Sequence, residues 1–214
     1  MSITRRGFAG LLGAGVVATN MAKALAASAT GREPHRQKVG SMKFRRIVTA
    51  ENAEGKSYVL TSEEPEIAQE IPNIMRRYTL WQTGTPPPTV PVVEDLPSDL
   101  SDLMPGPGGV YFRLTVIPPD SWASEADKAK VAAMIAAKEN VDRDLEPGNP
   151  MMHSTDSVDY IVMLSGELHL VLDTGEILLK PGDFVVQGGV NYSWSNRSEE
   201  PAIVAGAVVG AKRN

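Results

Sequence analysis

The chain has 214 residues, which is enough for one substantial hydrophobic core and hardly enough for two. It contains no cysteine, which excludes disulfides, thiolate metal sites and cysteine nucleophiles. Its formal net charge of -5 argues against nucleic acid as a partner. These properties predict one acidic globular domain without covalent cross-links.

The first 29 residues have the pattern of a removable export signal rather than of folded structure. Arg5 and Arg6 lie between a threonine and a Gly-Phe pair, an order that resembles the twin-arginine export signal. The apolar stretch from Phe8 to Ala18 is too short to span a bilayer. We therefore expect residues 1–29 to be a signal peptide, and the mature protein to be periplasmic and free of the membrane.

Residues 30–108 predict a polar arm, several strands and a long loop. The segments KFRRIVTA, SYVLTS and RRYTLWQ are short, rich in branched and aromatic residues, and bounded by turn residues. The stretch between Gly84 and Gly109 contains too many prolines for a helix or a central strand. It is interpreted as an extended surface loop.

Residues 109–214 predict strands interrupted by one helix. The segment VYFRLTVI predicts a strand, and the next segment predicts a helix over about Ser124–Asn140, with Ser124 and Asp127 forming a capping box. We expect this helix to be a packing brace or a lid, and a brace is the preferred interpretation. Its apolar face is predicted to consist of Ala129, Ala132, Ala133, Ile135 and Ala136.

The remaining strands recur at a spacing typical of an antiparallel sandwich or barrel. They are predicted in DYIVMLS, ELHLVLD, EILLK, DFVVQG, YSWSN and AIVAGAVVGA, most of them separated by turn residues. In ELHLVLD the leucines occupy the apolar face of the predicted strand. His169 is therefore expected on the surface or at a dimer interface.

Two groups of residues in this region follow a specific order. The first consists of Gly148, His153, Thr155, Asp159 and Gly166. The second consists of Gly182, Asp183, Gly189, Tyr192 and Asn196. Both resemble the sequence motifs of the cupin superfamily, although the interval before His153 is one residue short. The resemblance implies an all-β fold, a cupin jelly-roll β-barrel with one inserted helix, and a homodimer.

The resemblance also implies a place for a divalent metal, which a typical cupin holds with three histidines and one glutamate. In this chain only His153 keeps its residue type, and Asp159 keeps the carboxylate. Thr155 and Tyr192 replace the other ligands, and a phenol binds a metal well only after it loses its proton. His153 and Asp159 are thus weak candidate ligands of a degenerate site. The cofactor stays unknown.

Strand alternation predicts which side chains share a face. Asp159, Ile161 and Met163 lie on one face of their strand, and Tyr192 and Trp194 on one face of theirs. If the cupin register holds, these side chains point into the barrel. The predicted ligand-binding residues are Thr155, Arg113, Trp194, Ile161 and Met163. Alternation alone does not decide whether Arg113 points inward or toward solvent.

This combination of residues suits a small organic ligand. His153 and Asp159 are predicted as an acid/base pair, and Tyr192 as a donor to a developing oxyanion. The first hypothesis is a lyase, isomerase or dehydratase without a tightly held metal. The alternatives are a non-catalytic binding protein and a metal-dependent enzyme with an altered site. Each residue also has a structural interpretation, such as a backbone-bonded histidine or an aromatic core filler.

Overall fold

Strands dominate the part of the chain that the structure describes. The computed structural model describes residues 43–84, 88–95, 104–137, 141–142, 149 and 151–213. The predicted export signal lies outside these residues. Among the described helices, none is long and apolar enough to cross a membrane.

The strands are numbered in chain order: β1 (Arg46–Glu51), β2 (Ser57–Glu63), β3 (Gln69–Ile71), β4 (Met75–Thr83), β5 (Val110–Ile117), β6 (Val141–Asp142), β7 (Ser154–Thr155), β8 (Ser157–Ser165), β9 (Leu168–Leu172), β10 (Gly175–Leu179), β11 (Phe184–Gln187), β12 (Tyr192–Ser195) and β13 (Ala202–Gly210). A 3-10 helix (Asp120–Trp122) and helix α1 (Glu125–Ala136) follow β5. Each predicted strand segment contains an observed strand. The sequence did not predict β3, β6 and β7, which have two or three residues each and too short a pattern to recognise.

Two antiparallel sheets form the body of the fold. The larger has the order β11-β8-β13-β5-β4-β3, and the smaller the order β10-β9-β12. After β8 the chain crosses to the smaller sheet for β9 and β10, returns for β11, crosses for β12 and returns for β13. This alternation between two sheets is a jelly-roll winding. The predicted all-β jelly roll with one inserted helix is therefore confirmed.

The larger sheet begins upstream of residue 109, because β4 pairs along β5 from Arg76↔Val116 to Thr83↔Val110. Strand β3 then pairs with β4 at the edge of the sheet. Two further pairs, β1–β2 and β6–β7, form small sheets of their own.

The hydrophobic core lies between the two sheets and draws residues from both. Met163 from β8, Leu168 and Leu170 from β9, and Ala202 and Val204 from β13 pack into one buried cluster. Burial of each large aliphatic side chain contributes about 1.5–3 kcal/mol to stability. This shared cluster fixes the distance between the sheets.

Helix α1 begins with the predicted capping box. The Asp127 amide donates to Ser124 Oγ at 3.2 Å, and the Ser124 amide donates to Asp127 Oδ2 at 3.1 Å. The predicted apolar face is confirmed at Ile135, which is buried, and is wrong at Ala129 and Ala133, which are exposed. Val131 and Ile135 are buried. One turn apart, these larger side chains remove more apolar surface from water than alanines do.

Asn196, which follows β12, joins three segments through its side-chain amide. The amide is fully buried and donates from Nδ2 to the carbonyls of Ile117 and Glu200, both at 2.9 Å. Its Oδ1 accepts from the amide and the hydroxyl of Ser198 at 3.1 and 2.7 Å. The last position of the second motif is therefore a structural residue with all its polar atoms bonded.

Replacing Asn196 is expected to destabilise the fold strongly. Asn196→Ala would remove the side-chain donor of the buried Ile117 carbonyl, at a cost of about 1–3 kcal/mol, while the exposed Glu200 carbonyl keeps the Ser198 hydroxyl. Asn196→Asp keeps the shape but loses both donors and directs an oxygen at those carbonyls. Denaturant unfolding at neutral pH measures the loss, with Asn191→Ala as the control, since the side-chain hydrogen bond from Asn191 to Asp173 is exposed. Wild-type stability of Asn196→Asp would contradict this account.

Candidate functional site

A cavity of about 410 Å³ lies between the sheets and beneath α1. Residues of both sheets and of the helix line it, together with Asn149 and Met151. Most of the wall is apolar, including Ile71, Met75, Ile117, Ile135, Ile161 and Val204. The volume falls within the range of small-molecule sites.

The register of the larger sheet turns Arg113 inward. Arg113 pairs with Gly206 of β13, and Gly206 pairs with Ile161 of β8, so these positions share the cavity face. Arg113 is only 6% exposed, and its guanidinium lies 4.3 Å from the ring centroid of Tyr111. The structure thus decides the orientation that the sequence left open.

A second arginine that the sequence analysis did not single out lines the same wall. Arg77 pairs with Thr115, which lies on the cavity face of β5 two residues after Arg113. Its Nη1 donates to Gln69 Oε1 at 3.0 Å, and its buried Nε has no hydrogen-bond partner among the described residues. The available signal was the pair Arg76-Arg77, because alternation turns one of two adjacent residues inward.

Asp159 is the buried carboxyl of the cavity. It is 4% exposed, and its Oδ1 has no hydrogen-bond partner among the described residues. Burial raises its pKa, although a hydrogen bond from Ser157 and the charges of Arg113 and Arg77 oppose that shift. Asp159 therefore keeps its proton to higher pH than an ordinary aspartate.

The two guanidinium groups lie in an unfavourable electrostatic environment. Burial, assisted by the positive charge of Arg77, lowers the pKa of Arg113 to about 9, while Tyr111, Asp159 and Tyr192 oppose the shift. Burial also lowers the pKa of Arg77. Both groups remain cationic at neutral pH, with little water to stabilise the charge.

His153 and Tyr192 are joined by backbone and ring contacts. They form an antiparallel bridge with two N–H···O bonds of 3.0 Å, and their ring centroids lie 4.8 Å apart. His153 Nδ1 lies 2.8 Å from the carbonyl oxygen of Met151. Because a carbonyl only accepts, Nδ1 carries the proton and Nε2 holds the lone pair of the neutral ring.

Tyr192 remains a neutral phenol at physiological pH. Burial raises its pKa above the ordinary value, and the charge of Asp159 adds to the effect. The ring of Trp194 contacts it edge-on, with centroids 5.6 Å apart at 75°. These two aromatic side chains form the wall that the smaller sheet contributes to the cavity.

The remaining predicted residues occupy different places. Thr155, Ile161 and Trp194 line the cavity, together with the three predicted catalytic residues. The buried Thr155 hydroxyl lies 2.8 Å from that of Ser157. Met163 does not line the cavity; it is 2% exposed and belongs to the apolar core, so this predicted contact is not formed.

The polar residues of the cavity do not fit a divalent metal. In the described part of the chain, no group of three or more histidine, aspartate or glutamate side chains lies close enough to bind one. His153 and Asp159 offer one imidazole and one carboxyl of raised pKa, and Tyr192 is protonated. Arg77 and Arg113 would also repel a cation. We therefore derive no chemical step through a metal.

Comparison with known sequences gives partial matches. No family model matches the chain. Phomopsin biosynthesis cluster proteins C' and D of Diaporthe leptostromiformis are each 54% identical over 57 residues, which is 26% of this chain and 30% of theirs. Oryzines biosynthesis cluster protein J of Aspergillus oryzae is 47% identical over 58 residues, 26% of this chain and 32% of its own. The matches thus span less than a third of these curated relatives.

The chain is also similar to solved cupin structures. The Cnp3 cupin domain of Schizosaccharomyces pombe has a TM-score of 0.39 at 9% identity, over 79% of this chain and 89% of that one. A cupin domain of Bordetella pertussis has a TM-score of 0.29 at 16% identity, over 48% and 82%. A sugar phosphate isomerase of the cupin superfamily from Silicibacter pomeroyi has a TM-score of 0.29 at 17% identity, over 47% and 50%. These neighbours are cupin domains, and the strand order of this chain is itself a jelly roll.

Proposed function

We propose that the cavity binds a small organic molecule and that His153, Asp159 and Tyr192 move protons on it. The observation that supports this most is the buried carboxyl of Asp159, which lines the cavity with an oxygen that lacks a hydrogen-bond partner among the described residues. Such a group costs stability and is typical of functional sites. The names of the partial relatives, which refer to biosynthesis clusters, are consistent with a small-molecule substrate.

The proposed roles follow from the protonation state of each group. His153 Nε2 is the base that takes a proton from a C–H bond next to a carbonyl. The electron pair moves onto the carbonyl oxygen, where the Tyr192 hydroxyl stabilises the charge as a donor. Protonated Asp159 is the acid that returns a proton, either to carbon in an isomerisation or to a leaving hydroxyl in a dehydration.

Three features remain proposals from the sequence alone. They are export by a twin-arginine signal, a periplasmic location and a homodimer. A non-catalytic binding protein is the alternative function that uses the same cavity.

A metal-dependent enzyme is less favoured because the cavity offers few metal ligands. Metal content per chain, measured after dialysis against a weak chelator, would revive this alternative if the metal were stoichiometric.

The proton chemistry can be tested without a known substrate. Incubation of the protein in D₂O with a pool of small carbonyl compounds should produce deuterated or dehydrated species that mass spectrometry detects. His153→Ala and Asp159→Asn should each reduce the rate by about 10²-fold or more, as expected for loss of a general base or acid.

The matched control is His169→Ala. This histidine belongs to β9 and does not line the cavity. It should leave the rate unchanged. Full activity of His153→Ala would contradict the proposed mechanism. Ligand binding by wild type without deuterium exchange or conversion would favour the non-catalytic alternative.

The raised pKa of Asp159 predicts a pH-dependent difference in stability. The folded state holds the proton of the Asp159 carboxyl more tightly than the unfolded chain does. The contribution of Asp159 to the free energy of unfolding is therefore fully present below the unfolded pKa of about 3.9. It is lost as pH rises through the folded pKa. Because asparagine does not ionise, Asp159→Asn should gain stability relative to wild type as pH rises from about 4, where Asp159 ionises in the unfolded chain but not yet in the folded state.

The free energies of unfolding of wild type and Asp159→Asn, measured from about pH 4 upward, test this predicted difference in stability. Asp173→Asn is the matched control, since that residue is exposed and should give a smaller change. A constant difference between Asp159→Asn and wild type at every pH would show that burial does not disfavour the ionised carboxyl.

A further inference from the structure

Two guanidinium groups lie on one wall of the cavity, on adjacent strands. Arg77 of β4 pairs with Thr115, two positions along the same face of β5 from Arg113. The charge of Arg77 contributes to lowering the pKa of Arg113, and both groups are largely withdrawn from water. Two like charges in such a place repel each other, and a negative charge between them would relieve the repulsion.

The charges that the described residues bring to the cavity are unbalanced. Lys128 and Asp120 also line it, but Lys128 pairs with Glu125 at 2.8 Å, and Asp120 accepts from Ser195 and Asn196. The interior then holds two guanidinium groups and the carboxyl of Asp159. Among these described groups the net charge is +1 with Asp159 ionised and +2 with it protonated.

The geometry of Arg77 orients its donors. Gln69 accepts from Nη1, and Gln69 itself contacts Met134 of α1 through Nε2 at 3.6 Å from the sulfur. The side chain is thus held from one side, while the buried Nε lacks a hydrogen-bond partner among the described residues. A donor fixed in this way is ready for an acceptor that enters the cavity.

Arg113 presents its charge in a complementary manner. Its guanidinium lies over the ring of Tyr111, so one face is occupied by a cation–π contact. A guanidinium that stacks through its face donates hydrogen bonds through its edge, the geometry that suits a planar carboxylate.

We infer that the ligand of this cavity is an organic monocarboxylate, and that Arg77 and Arg113 bind its carboxylate group. The inference rests on the proposed function, since the ligand is the molecule on which that function acts. One negative charge balances these groups when Asp159 is ionised and leaves a single positive charge when Asp159 is protonated, whereas a phosphate monoester dianion is the more strongly hydrated anion and costs more to bring into an apolar cavity. The apolar wall, with the rings of Tyr192 and Trp194, suits an aliphatic or aromatic body.

The test compares carboxylates with neutral molecules of the same shape on the full wild-type chain. The probes are phenylacetate and hexanoate, phenylacetamide and hexanamide, and phenyl phosphate. Tryptophan fluorescence reports binding because Trp194 lines the cavity, and the shift in melting temperature reports it independently. The carboxylates should bind roughly ten- to hundredfold more tightly than their amides, and phenyl phosphate more weakly than phenylacetate.

Variants assign the effect to the two arginines. Arg77→Gln and Arg113→Gln should each lose most of the preference for carboxylate while amide binding stays unchanged. Arg76→Gln is the matched control, because the adjacent Arg76 is exposed and pairs with Glu70. It should keep the full preference. If Arg77→Gln and Arg113→Gln do not fold, the comparison of carboxylate with amide on wild type still shows whether the cavity prefers a carboxylate.

The outcomes separate this inference from the proposed function. Equal affinity for acid and amide, tighter binding of phenyl phosphate, or no binding of either carboxylate would overturn the inference. Deuterium exchange that depends on His153 would nevertheless keep the proton chemistry. Selective carboxylate binding that Arg77→Gln abolishes would support the inference even if no exchange occurred, and the proton chemistry would then be wrong.

Discussion

The antiparallel register of the larger sheet is the constraint on which the cavity depends. It places the guanidinium groups of Arg77 and Arg113 and the carboxyl of Asp159 on one face, although they come from three strands. Gly206 belongs to this arrangement, because a Cβ there would meet the carbonyl oxygen of Tyr160 at 2.3 Å. Strand β13 therefore lies closer to β8 than any side chain at Gly206 would allow. A slip of one residue would turn the polar side chains out of the cavity and bring the outer face in.

The charged groups of the cavity reduce the stability of the fold that contains them. The core cluster between the sheets offsets that cost by burying large aliphatic side chains such as Met163 and Leu168. Asn196 and Asp120 stabilise the start of the 3-10 helix that follows β5. The Asp120 amide donates to the Asn196 carbonyl at 2.8 Å, and the Asp120 carboxylate accepts from the Asn196 amide at 3.0 Å. Apolar packing and satisfied amides thus hold a set of groups that would be more stable in water.

The sequence predicts the strands, the capping box of α1 and the jelly roll, because these depend on local pattern and on a motif with fixed spacing. It does not predict the direction of Arg113, since alternation defines two faces without saying which is buried. Arg77 was missed because its role depends on pairing with β5 across a long connection. Met163 was expected in the cavity, but it packs against Leu168 and Leu170 of the smaller sheet, a contact that strand alternation does not predict. The helix face was predicted correctly at Ile135 but not at Val131, because the alanines outnumber the larger apolar residues in the pattern.

Charge recognition by the two arginines and proton chemistry at Asp159 are coupled through the electrostatic field of the cavity, which gives a definite order of events if the ligand is a carboxylate. The positive charges of Arg77 and Arg113 now oppose the rise in the pKa of Asp159. The negative charge of a bound carboxylate would offset part of that field and so raise the pKa of Asp159 further. The acid would then take up its proton as the ligand binds, in the cavity where that proton is to be used. A neutral ligand would leave the electrostatic field at Asp159 unchanged. Arg77 and Arg113 would therefore discriminate between ligands by their reactivity as well as by their affinity.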